Sequence, residues 1–210
     1  MSYLYDTIAR YGDLIPLKIK LDYKIFEKGL ELFSDKWVQY NPRKNIPRYG
    51  LSITSLDGNF SGIPDLDSLK EYNIEKNLNL DEPDFKTLTP FWPYVESVLS
   101  KFKNHLGRTH IIKMSAGGQF PSHRDHYDRE LPTCRLFIPI YNCNPTNNYF
   151  ILDNKVLNFE HGKLYFLNTC KEHIVFTSGR GGKQESMFIV ANIILTEEST
   201  DLILHNMMSS

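Results

Sequence analysis

Residues 109–195 carry the pattern that most restricts the fold of this chain. Short runs rich in β-branched and aromatic residues follow one another there, and no helical stretch separates them. Gly, Asn, Asp and Pro stand between the runs, and Asp153-Asn154 is a candidate for a tight hairpin turn. The runs are THIIKM, RLFIPIY, NYFILD, KVLNFE, KLYFLN, EHIVFT and SMFIVANIIL. Consecutive short strands predict a β-sandwich or jelly roll rather than alternating β/α units.

The residues before this region have patterns typical of helices, strands and loops, and two helices are predicted among them. Apolar residues at helical spacing predict a helix in LDYKIFEKGLELFSDKW, with Asp22 as its N-cap. A second apolar stripe, between Pro90 and Gly107, predicts another helix that ends at the glycine. RYGLSITSLDG alternates like a strand, and residues 59–88 have the composition of long loops with one short helix near 66–72.

We therefore expect a single domain over residues 1–210. In this interpretation, residues 1–108 are helices and loops packed on a β core at 109–196, and 197–210 form a tail. Apolar residues make up 41% of the chain, which is enough to fill a substantial core.

Charge and cysteine content narrow the class of protein. The 24 basic and 25 acidic residues nearly balance. The chain therefore lacks the basic excess that would indicate a nucleic-acid partner, and we expect none. Cys134, Cys143 and Cys170 lack metal-finger or redox spacing and are expected to be free thiols in a reducing compartment. No signal peptide is recognised, and no apolar run approaches the roughly 20 residues of a membrane helix. We expect a cytoplasmic protein without a membrane partner.

The stretch FPSHRDHYDRE, residues 120–130, contains the strongest chemical signal. His123 and Asp125 are separated by one residue, so on an extended backbone their side chains point to the same side. Two histidines and one carboxylate form the facial triad that binds non-haem Fe(II) and leaves positions open for oxygen and a co-substrate. The third ligand must come from a distant strand, and His173, which begins the run HIVFT, is the candidate.

Spacing alone leaves other histidines open as the third ligand. His126 would point the other way on a strand, and His161 lies in a turn sequence where exposure is expected. His105 and His110 flank the end of the second predicted helix. His205 lies in the tail, where fraying is expected.

Several elements, in order, resemble the aspartyl/asparaginyl β-hydroxylase family of 2-oxoglutarate- and Fe(II)-dependent oxygenases. SAGGQFPSHRD is similar to the glycine-containing turn that delivers the family's H-x-D pair, and RLFIPIYN to the arginine-led strand after it. HGKLYFLN matches the strand before the second histidine, and EHIVFTSG matches the segment that contains it, with Thr177 where Asn is common. WVQYNPRKNIPRYGLSITSLDG resembles the family's opening segment more loosely.

This resemblance implies a mainly β fold, a double-stranded β-helix (a cupin-like jelly roll) with N-terminal helices. It also implies that His123, Asp125 and His173 hold the iron, to which 2-oxoglutarate and O2 would bind. Arg135 matches the family's arginine that contacts the co-substrate. Its alternative role is a salt bridge at the rim of the barrel with Glu130 or Asp128.

The sequence departs from the family at the second basic residue of the co-substrate site. The family places an arginine about ten residues after the distal histidine. Here Lys183 has that spacing and Arg180 is nearby, both within the glycine-rich segment SGRGGKQ. A surface loop with solvated charges is the alternative. The segment lacks phosphate-loop spacing, so a nucleotide site is disfavoured.

The predicted function is hydroxylation of an amino acid or a peptidyl residue. The substrate is expected at the barrel mouth, near the 59–88 connection, with Arg124, Tyr127 and Arg129 as candidate contacts. Two alternatives remain: a metal-dependent jelly-roll enzyme that does not use 2-oxoglutarate, and a non-catalytic jelly-roll binding protein with incidental histidines.

Overall fold

The computed structural model describes residues 3–60, 62, 64–125, 133–178 and 185–208. Its helices are α1 Tyr3–Ala9, α2 Tyr23–Leu32, α3 Leu69–Lys76, α4 Glu96–Leu99 and α5 Glu197–Asn206. The strands before the predicted β core are β1 Leu14–Lys20, β2 Val38–Gln39, β3 Arg48–Ser52, β4 Thr54–Ser55 and β5 Thr87–Leu88. The core strands are β6 His110–Met114, β7 Gln119–His123, β8 Thr133–Tyr141, β9 Asn148–Leu152, β10 Lys155–Val156, β11 Lys163–Leu167, β12 His173–Thr177 and β13 Ser186–Ile194.

The last eight strands form a jelly roll. One sheet contains them in the order β11-β8-β13-β6, and the other in the order β10-β9-β12-β7, with antiparallel neighbours throughout. The chain passes back and forth between the two sheets and returns to pair its last strand beside its first, which is the jelly-roll arrangement. The predicted fold class is therefore confirmed. The hairpin at Asp153-Asn154 is also confirmed, since both residues have positive φ, as the favoured two-residue turn requires.

The N-terminal segment contributes strands as well as helices. β1 pairs with β11 at one side of the larger sheet, and β3 and β2 extend the other side beyond β6. α2 begins where the sequence predicts, and the Asp22 side chain caps it by accepting from the Ile25 amide at 3.2 Å.

Side chains along each strand of the larger sheet point alternately to its two faces, so the core has two layers, one on each side of this sheet. On β8, Leu136 and Ile138 face the helices, where they join a cluster with Phe26, Phe91 and Phe166. The alternate residues face the second sheet and pack in a cluster that includes Phe137, Phe150, Phe159 and Phe188. Because side chains alternate with period two, Arg135 lies on the same inner face as Phe137.

Three local predictions differ from the structure. The stripe between Pro90 and Gly107 is buried as predicted, but the backbone forms short 3-10 turns around α4, with i→i−3 bonds such as Val98 N–H to Val95 O. Pro93 contributes no amide hydrogen to a regular helix. The run KVLNFE forms a strand only at Lys155–Val156. β7, which carries His123, is not among the seven runs, because QFPSH is too polar to stand out.

The expected tail also needs correction. Residues 197–206 form α5, which a capping box at Thr196 and Ser199 begins and whose Ile203 is buried in the core. His205 is exposed on this helix rather than part of a frayed end. None of the described helices is both long and apolar enough to cross a membrane.

Candidate metal centre

The register between two strands of the smaller sheet brings His123 and His173 together. β7 and β12 are antiparallel neighbours, and the two histidines are opposite each other across the pair. Their ring centroids are 4.2 Å apart. One cross-strand pair thus brings together two histidines that are 50 positions apart in the sequence, as the predicted jelly roll requires.

Asp125 completes the group from the turn that follows β7. Its amide donates to the Thr169 carbonyl at 2.9 Å, which fixes the turn against the connection between β11 and β12. The carboxylate Oδ1 lies 3.5 Å from His123 Nε2. One ligand atom from each of His123, Asp125 and His173 lies within 4.8 Å of the other two. The structure therefore brings together all three residues of the predicted triad.

The hydrogen bonds of the two imidazoles leave the correct nitrogen free for a metal. His123 Nδ1 contacts the Pro121 carbonyl at 2.7 Å, and His173 Nδ1 contacts the Lys171 carbonyl at 3.0 Å. A carbonyl accepts only from a protonated Nδ1, so in the neutral form of each ring the lone pair is on Nε2, where a metal ion would replace the proton that Asp125 attracts to His123. Metal-binding histidines commonly have this outer hydrogen bond. The donor set, two neutral imidazoles and a carboxylate, suits a divalent first-row metal.

Arg135 holds the far side of the Asp125 carboxylate. Its Nε donates to Asp125 Oδ2 at 2.9 Å, and its two terminal nitrogens donate to the carboxylate of Glu82 at 2.8 and 2.7 Å. Arg135 is thus in an ion pair, as its alternative role required, but with these two acids. Glu130 and Asp128, the expected partners, lie outside the described residues.

The charges around the triad favour an ionised carboxylate. Burial alone would raise the pKa of Asp125, but the charge of Arg135 and the contact with His123 hold that pKa well below its usual value. Burial lowers the pKa of His173. For His123 the effect of burial is outweighed by the bond to Asp125, and the pKa is raised.

The triad opens into a cavity of about 170 Å³ between the two sheets. Its apolar walls come from the inner faces of both sheets, and its polar residues include His110 on β6, Arg135 on β8 and Asn192 on β13 as well as the triad. The apolar wall residues include Ile112, Phe120, Phe137, Phe150, Leu167, Val175 and Phe188. The polar lining, apart from the triad, consists of Tyr40, Glu82, Arg108, His110, Arg135, Thr169 and Asn192.

The competing histidines occupy other places. His161 is exposed in a turn, and His105 is buried 3.4 Å from the Glu198 carboxylate. His110 lines the cavity from β6, away from the triad's ligand group. His126 lies outside the described residues, as do the proposed co-substrate residues Arg180 and Lys183 and the substrate candidates Tyr127 and Arg129. Arg124 is exposed next to the triad.

Sequence reasoning missed three residues of this cavity. Glu82 comes from the long 59–88 connection, where one acid among many gives no signal. Asn192 interrupts the apolar run SMFIVANIIL on its inward face, a polar residue at a core position that could have been noticed. Arg108 stands between the second helical stretch and β6, where nothing in the local sequence distinguishes it from a surface arginine.

Comparison with known proteins adds little beyond the fold. No known protein family and no curated protein matches the chain. It is similar to a predicted oxalate decarboxylase from Thermotoga maritima, at 13% identity and a TM-score of 0.33, over 46% of this chain and 74% of that one. The cupin domain of Schizosaccharomyces pombe Cnp3 has 9% identity and a TM-score of 0.33, over 47% of this chain and 62% of that one.

A third similar structure is KdgF from a Halomonas species, at 10% identity and a TM-score of 0.32, over 45% of this chain and 74% of that one. Similarity this limited supports no argument about activity. The order of strands in the two sheets carries the assignment instead, and it shows that this chain has a cupin-like jelly-roll fold.

Proposed function

We propose that the protein is an Fe(II)- and 2-oxoglutarate-dependent oxygenase that hydroxylates an amino acid or a peptidyl residue. The observation that carries the proposal is the convergence of His123, Asp125 and His173, with both imidazoles presenting Nε2. Two histidines and one carboxylate leave half of an octahedral ferrous site for other ligands. A jelly roll that opens into a cavity next to this group provides room for them.

In this proposal, different residues of the chain bind the metal, orient its ligands and exclude water. The two histidines and Asp125 hold the metal, and Arg135 keeps Asp125 ionised and oriented. The phenylalanine-rich walls exclude water from the cavity. When bound, iron with 2-oxoglutarate and O2 supplies the oxidising power for hydroxylation, while the protein controls position and access.

Arg135 is still proposed to bind 2-oxoglutarate directly, but with fewer of its N–H groups. Three of the five N–H bonds of its guanidinium already donate to Glu82 and Asp125. The two that remain are available to a ligand. Lys183 and Arg180 stay proposed co-substrate contacts on the strength of their spacing alone.

One observation favours the second candidate, a metal-dependent jelly-roll enzyme that does not use 2-oxoglutarate. Phe137, Phe150 and Phe188 form an aromatic wall of the cavity and pack with Phe159, and the ring centroids of the contacting pairs are 5.0–5.9 Å apart. Arg135, the arginine that the resemblance assigns to 2-oxoglutarate, is already paired with Asp125 and Glu82.

An anaerobic titration separates the candidates. Protein loaded with Fe(II) should develop a visible charge-transfer band when 2-oxoglutarate is added, because the 2-oxo acid chelates the metal. His123→Ala, Asp125→Ala and His173→Ala should abolish the band, whereas His205→Ala, an exposed histidine on α5, should retain it. Iron uptake without any response to 2-oxoglutarate would favour the second candidate. No iron uptake would favour a non-catalytic jelly roll.

Once the charge-transfer band is observed, the next experiment is to identify the class of substrate. Succinate release should be measured with free amino acids, including proline, and with peptides that contain Asp or Asn. The mouth of the barrel, where Arg124 is exposed, is the proposed place of substrate binding.

A further inference from the structure

A second polar group lines the cavity on the larger sheet. Arg108 precedes β6, His110 begins that strand, and Asn192 lies near the end of β13. The Gly107 amide donates to the Asn192 carbonyl at 2.8 Å, which holds the start of β6 against β13. Asn192 in turn is opposite Arg135 on β8. Asn192 is therefore one strand spacing, roughly 5 Å, from β8, which carries Arg135, and His110 on β6 is two spacings, roughly 10 Å, from it.

Arg108 is a buried cation without a carboxylate partner among the described residues. It is 7% exposed, and its Nε donates to the Asp65 carbonyl at 2.8 Å. Its Nη2 donates to the carbonyls of Pro64, at 3.1 Å, and Asp67. These carbonyls orient the guanidinium, and the two buried acids of the same loop, Asp65 and Asp67, are bonded to it through their main chains. Burying a charge costs much free energy unless an opposite charge accompanies it.

His110 and Asn192 carry buried polar atoms with no partner. They are 4% and 1% exposed, and His110 Nδ1 and Asn192 Oδ1 have no hydrogen bond within the described part of the chain. Native structures rarely leave such atoms unsatisfied, so a polar ligand in the cavity is expected. Burial, reinforced by the charge of Arg108, lowers the pKa of His110 to about 3, so the imidazole is neutral, and its single N–H, when carried by the unpaired Nδ1, can donate to a carboxylate.

The charge of the cavity indicates what kind of ligand is expected. Among the described lining residues, the guanidiniums of Arg108 and Arg135 cancel the carboxylates of Glu82 and Asp125. A divalent metal at the triad would then leave an excess of two positive charges. A ligand that carries two carboxylates would neutralise it, with one carboxylate near the metal and the other at Arg108.

We propose that Arg108 and His110 form a carboxylate-binding subsite in the metal cavity, beside Asn192, whose unpaired Oδ1 is an acceptor and is left for a donor group of the ligand or for water. The subsite stands on its own unpaired groups, while its link to a metal-bound ligand rests on the proposed function. The carboxylate could come from either of two sources: the distal end of 2-oxoglutarate, or an amino-acid substrate bound beside it.

The test compares two 2-oxo acids by titrating the charge-transfer band of the Fe(II) protein. 2-Oxoglutarate and 2-oxopentanoate both chelate a metal, but only the first has a distal carboxylate. Arg108→Gln should weaken 2-oxoglutarate binding roughly tenfold or more, the loss of a charge-assisted hydrogen bond, and leave 2-oxopentanoate unchanged. Arg10→Gln, the same change at an exposed arginine, should affect neither ligand.

A metal-free measurement keeps this test separate from the proposed function. Glutarate, a dicarboxylate without the 2-oxo group, should bind metal-free wild-type protein by calorimetry and bind Arg108→Gln roughly tenfold more weakly. This comparison remains valid if iron never binds. Because Arg108 also anchors the 64–67 loop, Asn192→Asp serves as a second variant. Its added negative charge should weaken glutarate binding at an unchanged side-chain volume.

The source of the carboxylate follows from a third titration. If 2-oxoglutarate affinity is unchanged in Arg108→Gln but acetate binds the Fe(II)–2-oxoglutarate complex more weakly, the subsite serves a substrate carboxylate. If wild type and both variants bind 2-oxoglutarate, glutarate and acetate equally, the subsite does not exist.

Discussion

Glu82 accepts hydrogen bonds from both terminal nitrogens of Arg135, at 2.8 and 2.7 Å, in a bidentate ion pair between the 59–88 connection and the jelly roll. The same guanidinium reaches Asp125 through Nε at 2.9 Å. A residue from outside the core sheets is therefore two contacts away from Asp125, a candidate metal ligand. The connection that precedes the β core supports the triad as well as covering the barrel.

Replacing Arg135 with lysine should weaken metal binding without removing the positive charge. Lysine cannot form the planar bidentate pair with Glu82 while also contacting Asp125, so Asp125 loses its orientation. Loss of such an outer partner typically lowers metal affinity by about 10- to 100-fold. Calorimetric titration of Mn²⁺ or Zn²⁺ without 2-oxoglutarate measures this, with Arg10→Lys as the control. Unchanged metal affinity together with weaker 2-oxoglutarate binding would instead assign Arg135 to the co-substrate.

Metal should stabilise the folded protein, and the triad should be required for that effect. A ligand that binds only the native state at 100 times its Kd adds about 2.7 kcal/mol to the free energy of unfolding. Thermal unfolding with and without Mn²⁺ should therefore show a higher Tm for wild type and for His205→Ala. Asp125→Ala and His173→Ala should show no shift. A shift that persists in both variants would mean that the metal binds elsewhere.

The jelly roll was predictable because its signal is local and repeated. Each run from 109 to 195 has a composition typical of strands and ends at a turn residue, and the structure pairs them in two sheets. The pair His123 and Asp125 was recognisable from its spacing, and His173 from its place at the start of a strand. The first inference needed only the period of a strand, whereas spacing left other histidines open as the third ligand and the family resemblance selected His173.

The remaining parts of the site depend on contacts that spacing does not encode. Glu82 is 53 positions before Arg135 and within a loop-like segment, so nothing local indicates their pairing. Arg108 and Asn192 meet only because β6 and β13 are neighbours in the sheet. The C-terminal helix was missed because its apolar positions are few, and it is stabilised by the core around Ile203 and by its cap.

That helix offers a test of the corrected C-terminal segment. Thr196 accepts from the Ser199 amide at 3.0 Å, so Thr196→Ala should remove the cap and lower the free energy of unfolding by about 1 kcal/mol. His205→Ala, on the exposed side of the same helix, should change it by less than about 0.5 kcal/mol. Urea denaturation measures both. Equal and negligible effects would mean that α5 contributes little to the stability of the fold.

Arg48 should be replaceable by methionine without loss of stability, even though it is only 3% exposed. Its guanidinium carbon lies 4.2 Å from the Phe120 ring centroid and 5.2 Å from that of Tyr40. Its Nε is buried without a hydrogen bond, and burial lowers the pKa of the group. Among the described residues it has no carboxylate partner.

Two opposing contributions decide the outcome of Arg48→Met. The cation–π contacts stabilise the arginine by about 0.5–2 kcal/mol, whereas an unsatisfied buried donor costs about 1–3 kcal/mol, and desolvation of the charge adds to that cost. Methionine keeps the apolar contact with Phe120 and removes the buried charge. We therefore expect an unfolding free energy in urea equal to or higher than that of wild type, with Arg10→Met as the exposed control. A loss of more than about 1 kcal/mol would show that the aromatic contacts outweigh the cost of burying the charge.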